Sequence, residues 1–343
     1  MNKSAIIGAS LGLLTLVSTA SWAAGPEAVS IVQDPTAVGT PVGKRAPQTV
    51  KFTLEAQEVL GVLDAAAKTT YTYWTFNGKV PGPMLRARVG DTIEITLKNA
   101  KSSAMIHNID LHAVWGQGGG AALTSVAPGE EKSFVFKALN PGLFVYHCAT
   151  PVIPQHISSG MYGMILIEPE GGLPKVDKEF YVMQGDMYTE KVGSDSELLF
   201  NLHDMMEEKP SHVVMNGSAG ALAANPMKVK VGDEVRIFFG VGGPNLTSSF
   251  HAIGTIWDKV YPEGAISEKD VHHNVQTTVV PPGGSTMVEF KARVPAKYIL
   301  VDHALTRLMK GNVAIIQAEG ADVPDLFRSG KVDGSGKSKA GKE

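Results

Sequence analysis

The chain carries one cysteine, Cys148, in 343 residues. A single thiol closes no disulfide and supplies no Cys-x-x-Cys-His haem attachment, so cross-linked scaffolds and appended haem are both excluded. None of the ten histidines stands in a His-x-His pair, and metal clusters that require several such pairs are excluded with them. Long apolar runs are scarce as well. The one from Ala5 to Val17 is too short to cross a bilayer, and no second follows. An excess of one charge is also missing. The formal net charge is −3, a weakly acidic balance that argues against nucleic acid. What the chain does have is 37 glycines and 20 prolines against only 19% charged residues. That composition fits many short strands joined by turns better than long helices.

The ends read as accessories. Residues 1–23 run from Lys3 through the apolar stretch to Ser21-Trp22-Ala23, the pattern of a secretory signal peptide with a small-residue cleavage site. The expectation is an exported protein of the periplasm with no membrane span. Residues 24–47, rich in Pro, Gly and Thr, read as an extended arm that lies across a neighbouring subunit or stays free. Residues 321–343 form a tail whose end, from Gly330, reads as disordered.

Between the ends the sequence repeats itself. Val126-Ala-Pro128-Gly129 through Phe136-Lys137-Ala138 matches Val280-Pro-Pro282-Gly283 through Phe290-Lys291-Ala292 at an offset of 154. Val89-Gly90-Asp91 matches Val231-Gly232-Asp233, and His107-x-Ile109 reads as matching His251-x-Ile253. Each copy holds alternating strands such as Asp91 to Leu97 and Glu234 to Phe239, so an all-β protein of two tandem Greek-key β-sandwiches is expected, over 48–170 and 175–320. The turn-rich Pro169–Pro174 separates them. Carried onward, the repeat puts Asp302 where the first copy has Cys148.

Cys148 stands in His147-Cys148-Ala-Thr-Pro-Val-Ile-Pro-Gln-His156, with Met161 five residues on. Thiolate, imidazole and a weak thioether are the donors of a copper site that shuttles one electron, and His107 is the leading candidate for the second imidazole. In a compartment that oxidises paired cysteines, metal ligation also accounts for a lone one. Side chains on a strand alternate between faces. If Met105 to His112 is strand-like, Asp110 and His112 share a face that His107 does not, and His147 diverges from its neighbour Cys148. Asp110, His112 and His147 are then free for a second metal, with His303 of the second half as third imidazole. Three neutral imidazoles and an open position suit a catalytic site. His272 and His273, by contrast, read as solvated residues of a polar loop.

These motifs together resemble the copper-containing nitrite reductases over about residues 45 to 320: His107-Asn-Ile-Asp110-Leu-His112, Tyr146-His147-Cys148-Ala, His156 to Met161, Phe250-His251-Ala-Ile253-Gly and Leu300-Val-Asp302-His303. The resemblance implies two cupredoxin-like domains, a homotrimer and two coppers per chain. It places type 1 copper on His107, Cys148, His156 and Met161, and type 2 copper on His112 and His147 with His303 of a neighbouring subunit. It implies one-electron reduction of nitrite to nitric oxide, with electrons passing along His147-Cys148 from a separate periplasmic donor, a cupredoxin or c-type cytochrome. Asp110 and His251 are implied to supply protons, and Ile253 to shape the pocket. Gln155, Pro151 and Pro154 depart from commoner members, as does Ala304-Leu-Thr306-Arg307 after His303, but no ligand is missing. Two rival readings remain: a two-domain multicopper oxidase, opposed by the missing His-x-His pairs, and a non-enzymatic copper electron carrier, which would not need Asp110, His112, His251 and His303 together.

Overall fold

A computed structural model describes residues 27–267, 269–332 and 338–339. The signal-peptide reading of residues 1–23 lies outside these. So does most of the expected disorder after Gly330, where Lys331–Val332 pairs with Ser338–Lys339.

Strand pattern dictates the layers. In Thr92–Asn99 the apolar Ile93, Ile95 and Leu97 alternate with Thr and charged residues and are fully buried, as one face of an antiparallel sandwich requires. The first sandwich sets the sheet Thr49–Asp64, Thr69–Phe76, Thr92–Asn99 and Glu131–Lys137 against the sheet Leu85–Arg88, Tyr162–Glu168, Gly142–His147 and Asp110–Leu111. The second sets a six-stranded sheet built on Lys178–Met187, Glu234–Gly243 and Ser285–Lys291 against a five-stranded one containing Ser248–Ile253, Ala296–Asp302 and Ala314–Glu319. The expected all-β pair of sandwiches is therefore what forms. A hairpin of the second half, Thr189–Lys191 with Glu197–Phe200, extends the first sandwich's sheet by pairing Leu198 with Tyr71.

Several strands depart from alternation, and two of them lie where the sandwiches meet. Tyr162–Glu168 and Lys178–Met187 are buried almost throughout, because both of their faces are covered. Ile165 and Ile167 point into the first core, Phe180 and Val182 into the second. Tyr162, Met164, Tyr181, Met183 and Met287 form a third apolar layer between the sandwiches, where unbranched methionine fills the irregular gap between two twisted sheets.

The repeat is visible in the backbone. Glu131–Lys137 and Ser285–Lys291 are the same strand shifted by 154 residues. The Gly90 and Gly232 amides donate to Ala138 and Ala292, while Asp91 and Asp233 each fold back to accept the amide three residues before, from Arg88 and Lys230. Both glycines sit at positive φ, +88° and +101°, which a side chain would oppose.

Strand register corrects one part of the repeat. Asp110 pairs with His147 and His251 with Val301, and His107 bridges Val126 while Ser248 pairs with Val280. Since His147 and Val301, like Val126 and Val280, are 154 apart, His251 is the counterpart of Asp110 and Ser248 that of His107. The match of His107 to His251 is three residues out of register. Similar tripeptides misled there, whereas hydrogen bonding between strands sets the true phase. Two local expectations also change. Of Met105 to His112 only Asp110–Leu111 is strand, and His272 and His273 begin a strand, His272–Val275, rather than lying in a loop, though both are exposed. The described part of the arm, from residue 27, is tied to its own chain. Val29 and Val32 bridge Gly61 and Val80 of their own chain, and Ile31 is fully buried against Gly61, where a Cβ would come within 2.5 Å.

One buried acid is costly. Asp186 accepts from the Tyr188 hydroxyl at 2.5 Å and the Asn245 amide at 3.1 Å, but its other oxygen has no partner. Burial outweighs these bonds and the nearby Arg307 and pushes its carboxyl up to about 6. An acid whose folded pKa is raised stabilises the fold fully below its unfolded value of about 3.9 and loses that stabilisation as pH rises through 6. Asp186→Asn is therefore expected to gain about 1–2 kcal/mol at pH 8 and little at pH 4, read from denaturant midpoints at both.

Candidate metal centres

Two clusters of ligand atoms, each within 4.8 Å, occur among the described residues: His107, Cys148 and His156, and Asp110, His112 and His147. The alternation of His147 and Cys148 at the end of Gly142–His147 sends one to each.

In the first cluster every member is buried. Cys148 Sγ lies 3.4 Å from His156 Nδ1 and 3.9 Å from His107 Nδ1. A short helix, Ile153–Ser158, turns His156 inward. The Cys148 amide donates to Met161 O, and the Met161 amide to His156 O, both at 3.1 Å. This stitches the loop closed, and Met161 is buried in the same apolar cluster as Cys148. Burial draws His107 and His156 down to about 4, so both imidazoles are neutral donors at ordinary pH. Burial also pushes the Cys148 thiol up, against hydrogen bonds from Asn108 and Thr150. A thiolate there needs a cation beside it, and the soft sulfur with two neutral nitrogens suits copper.

The second cluster opens outward. His112 and His147 turn their Nε2 atoms to within 3.2 Å, with rings at 89°. His147 Nδ1 lies 3.1 Å from the Cys148 carbonyl. A carbonyl only accepts, so Nδ1 holds the proton and Nε2 presents a lone pair, as a metal ligand must. Desolvation lowers His112, with His147 adding to it. Asp110 Oδ2 stands 3.9 Å from His147 Nε2.

His303 belongs to neither cluster. It sits with His251, ring centroids 5.2 Å apart, in an open depression of ≈ 650 Å³ lined also by Ser249, Gln276, Thr277 and Ala304. His251 Nδ1 donates to the Gln276 carbonyl at 2.6 Å. Along Ser248–Ile253 the even-numbered residues are buried, so His251 and Ile253, the latter 42% exposed, share the outer face. His251 and His303 thus form a pair outside both ligand clusters of the same chain.

Residues 62–172 match the model of a family described as multicopper oxidase. The chain is 50% identical over 284 residues to the copper-containing nitrite reductase of Neisseria meningitidis, covering 82% of this chain and 72% of that one. The chain belongs to the copper-containing nitrite reductases. Its fold matches that of the copper nitrite reductase from Nitrosomonas europaea with a TM-score of 0.71 and 36% identity, covering 82% and 98% of the two chains. A solved multicopper oxidase at 24% identity shares the fold, with a TM-score of 0.68 and 84% and 98% covered.

Sequence reasoning missed several neighbours in this reductase. The Asn108 side chain accepts from the Ala149 amide at 2.7 Å, and the Trp74 ring packs 4.5 Å from His156. Gly119, at φ +55°, presses on Asp110, where a Cβ would fall 1.8 Å from Oδ1. The run Gly118-Gly119-Gly120 was the available signal, since three consecutive glycines at positive φ leave room for a close approach. Gly119→Ala is expected to displace the Asp110 carboxylate and cut nitrite turnover about tenfold or more, with little change in the absorption of the Cys148 site.

Proposed function

We propose that this chain reduces nitrite by one electron to nitric oxide, as a periplasmic homotrimer in denitrification, fed by a small cupredoxin or c-type cytochrome. The balance is one nitrite, two protons and one electron giving one nitric oxide and one water. The observation that carries the reading is that His147 and Cys148, adjacent in the chain, face two different ligand clusters. Copper held by His107, Cys148, His156 and Met161 would supply one-electron storage, and copper held by His112, His147 and a neighbouring subunit's His303 would supply an anion-binding Lewis acid that accepts that electron.

The chain's own residues do the rest. The covalent path from Cys148 to His147 ties the two donor sets together through one peptide unit. Asp110 holds a proton at its carboxylate beside His147, and His251, oriented through Nδ1 on Gln276, has Nε2 left to hold another. Ile253, on the same outer strand face as His251, would add an apolar wall beside it. The separation of {Asp110, His112, His147} from {His251, His303} supports a head-to-tail assembly, because unlike patches joined between successive copies form a ring when the rotation closes, and each junction then completes one site.

The test is anaerobic release of nitric oxide from copper-loaded protein given nitrite and a reduced one-electron donor. Release matching the nitrite consumed is expected. Intact thiolate-copper absorption without release would leave an electron carrier instead.

A further inference from the structure

The register that pairs the two sandwiches also carries the whole first ligand set onto the second domain. His107 corresponds to Ser248, and Cys148 to Asp302. On the return strand Leu143 pairs with Leu166, and its counterpart Lys297 pairs with Gln317. A shift of 151 there puts Arg307 at the place of His156 and Asn312 at that of Met161. The backbone agrees, since the Met161 amide donates to His156 O and the Asn312 amide to Arg307 O, each at 3.1 Å.

The four positions that gather around Cys148 in the first sandwich therefore hold a hydroxyl, a carboxylate, a guanidinium and an amide in the second. Three of them, Asp302, Arg307 and Asn312, are bonded together, while the Ser248 hydroxyl is buried without a hydrogen-bond partner. Arg307 pairs with Asp302 through Nη1, which also donates to Thr247 O at 2.6 Å. Asn312 Oδ1 accepts the Asp302 amide at 2.8 Å. Asp302 is fully buried, and a buried carboxylate is stable only with such partners. Its Oδ1 takes the amides of Ser249 at 3.1 Å and Ala304 at 3.0 Å, and Gln184 Nε2 reaches Oδ2 at 3.2 Å. The residue between these anchors is His303, whose amide donates to Ser249 O at 2.8 Å.

We propose that Asp302 and Arg307 are positioning residues for His303: the positions that would hold a metal in the first sandwich are occupied in the second by an internal ion pair, and that pair fixes the segment presenting the His303 imidazole. This rests on His303 being a type 2 copper ligand, so His303→Ala is tested beside the others.

In the copper-loaded full-length protein, Arg307→Met and Asp302→Ala are expected to weaken type 2 copper about 10- to 100-fold. Chelator competition would read this as loss of one of two coppers and of the type 2 EPR signal, with the thiolate-copper absorption of Cys148 retained. Arg307→Lys, which keeps the cation, is expected to recover most of the binding. Parental type 2 affinity in both Arg307→Met and Asp302→Ala, while His303→Ala loses that copper, would overturn the positioning role alone. Retention of type 2 copper in His303→Ala would overturn the ligand assignment and this inference with it. Equal loss of both coppers, or no recovery in Arg307→Lys, would mark a merely structural pair. Should Asp302→Ala fail to fold, Arg307→Met decides, because its unbranched side chain preserves the packing.

Discussion

Cys148→Ala is expected to remove the thiolate-copper absorption altogether and to lower donor-linked nitrite turnover by about three orders of magnitude, a barrier increase of about 4 kcal/mol. Sγ is the soft donor of the buried cluster, and His107 and His156 cannot replace it. The fold should tolerate the change. Alanine leaves a small gap in a fully buried position, costing about 1 kcal/mol. The second cluster should survive, because it is held by backbone that the substitution leaves alone: Asp110 pairs with His147, and the His112 amide donates to Val145 O at 3.0 Å. On the proposed reading of two coppers per chain, copper should therefore fall to one, with the type 2 EPR signal kept. An intense thiolate band in the variant would refute the ligand assignment.

Asp110→Asn should show the opposite division, with both coppers bound and turnover slowed by about 10²- to 10³-fold. The amide keeps the shape that Gly119 closes upon but cannot pass a proton. Asp110 approaches His147 Nε2 only to 3.9 Å, while the two imidazoles meet at 3.2 Å, so it stands beside the metal position more than in it. Steady-state kinetics with copper analysis on the same preparation would decide. Parental turnover in a fully loaded variant takes Asp110 out of the proton path.

The register gives Asp110 and His251 a common place in the repeat. Asp110 and His251 are counterparts in the duplicated sandwich, as are His112 and Ile253. In the reading proposed here, each junction between subunits brings the same strand position together from two different domains, once as carboxylate and metal ligand, once as imidazole and apolar wall.

Much of this was legible in the chain because the signals are local. Cys148, His156 and Met161 lie within fourteen residues of one another, and the opposite faces of His147 and Cys148 follow from alternation along a strand, whose period of two needs no tertiary knowledge. Pro-Gly turns and alternating apolar residues were enough for two β-sandwiches. Pairing between strands was not legible in the same way. Whether His251 answers to His107 or to Asp110 depends on hydrogen bonds between segments some fifty residues apart, and short motifs cannot phase them. The same holds for the arm seated on Gly61 and the methionine layer between the sandwiches.

The sequence by itself determined the donor chemistry, the duplicated all-β architecture and the division of ligands between two clusters, since residue type and strand parity are properties of the chain. Only the tertiary structure decided that His251 and His303 stand apart from His112 and His147 within one chain, that Gly119 closes on Asp110, and that an ion pair occupies the second domain's counterpart of the Cys148 site. Those are matters of distance between remote segments, set by strand register and by how two twisted sheets pack.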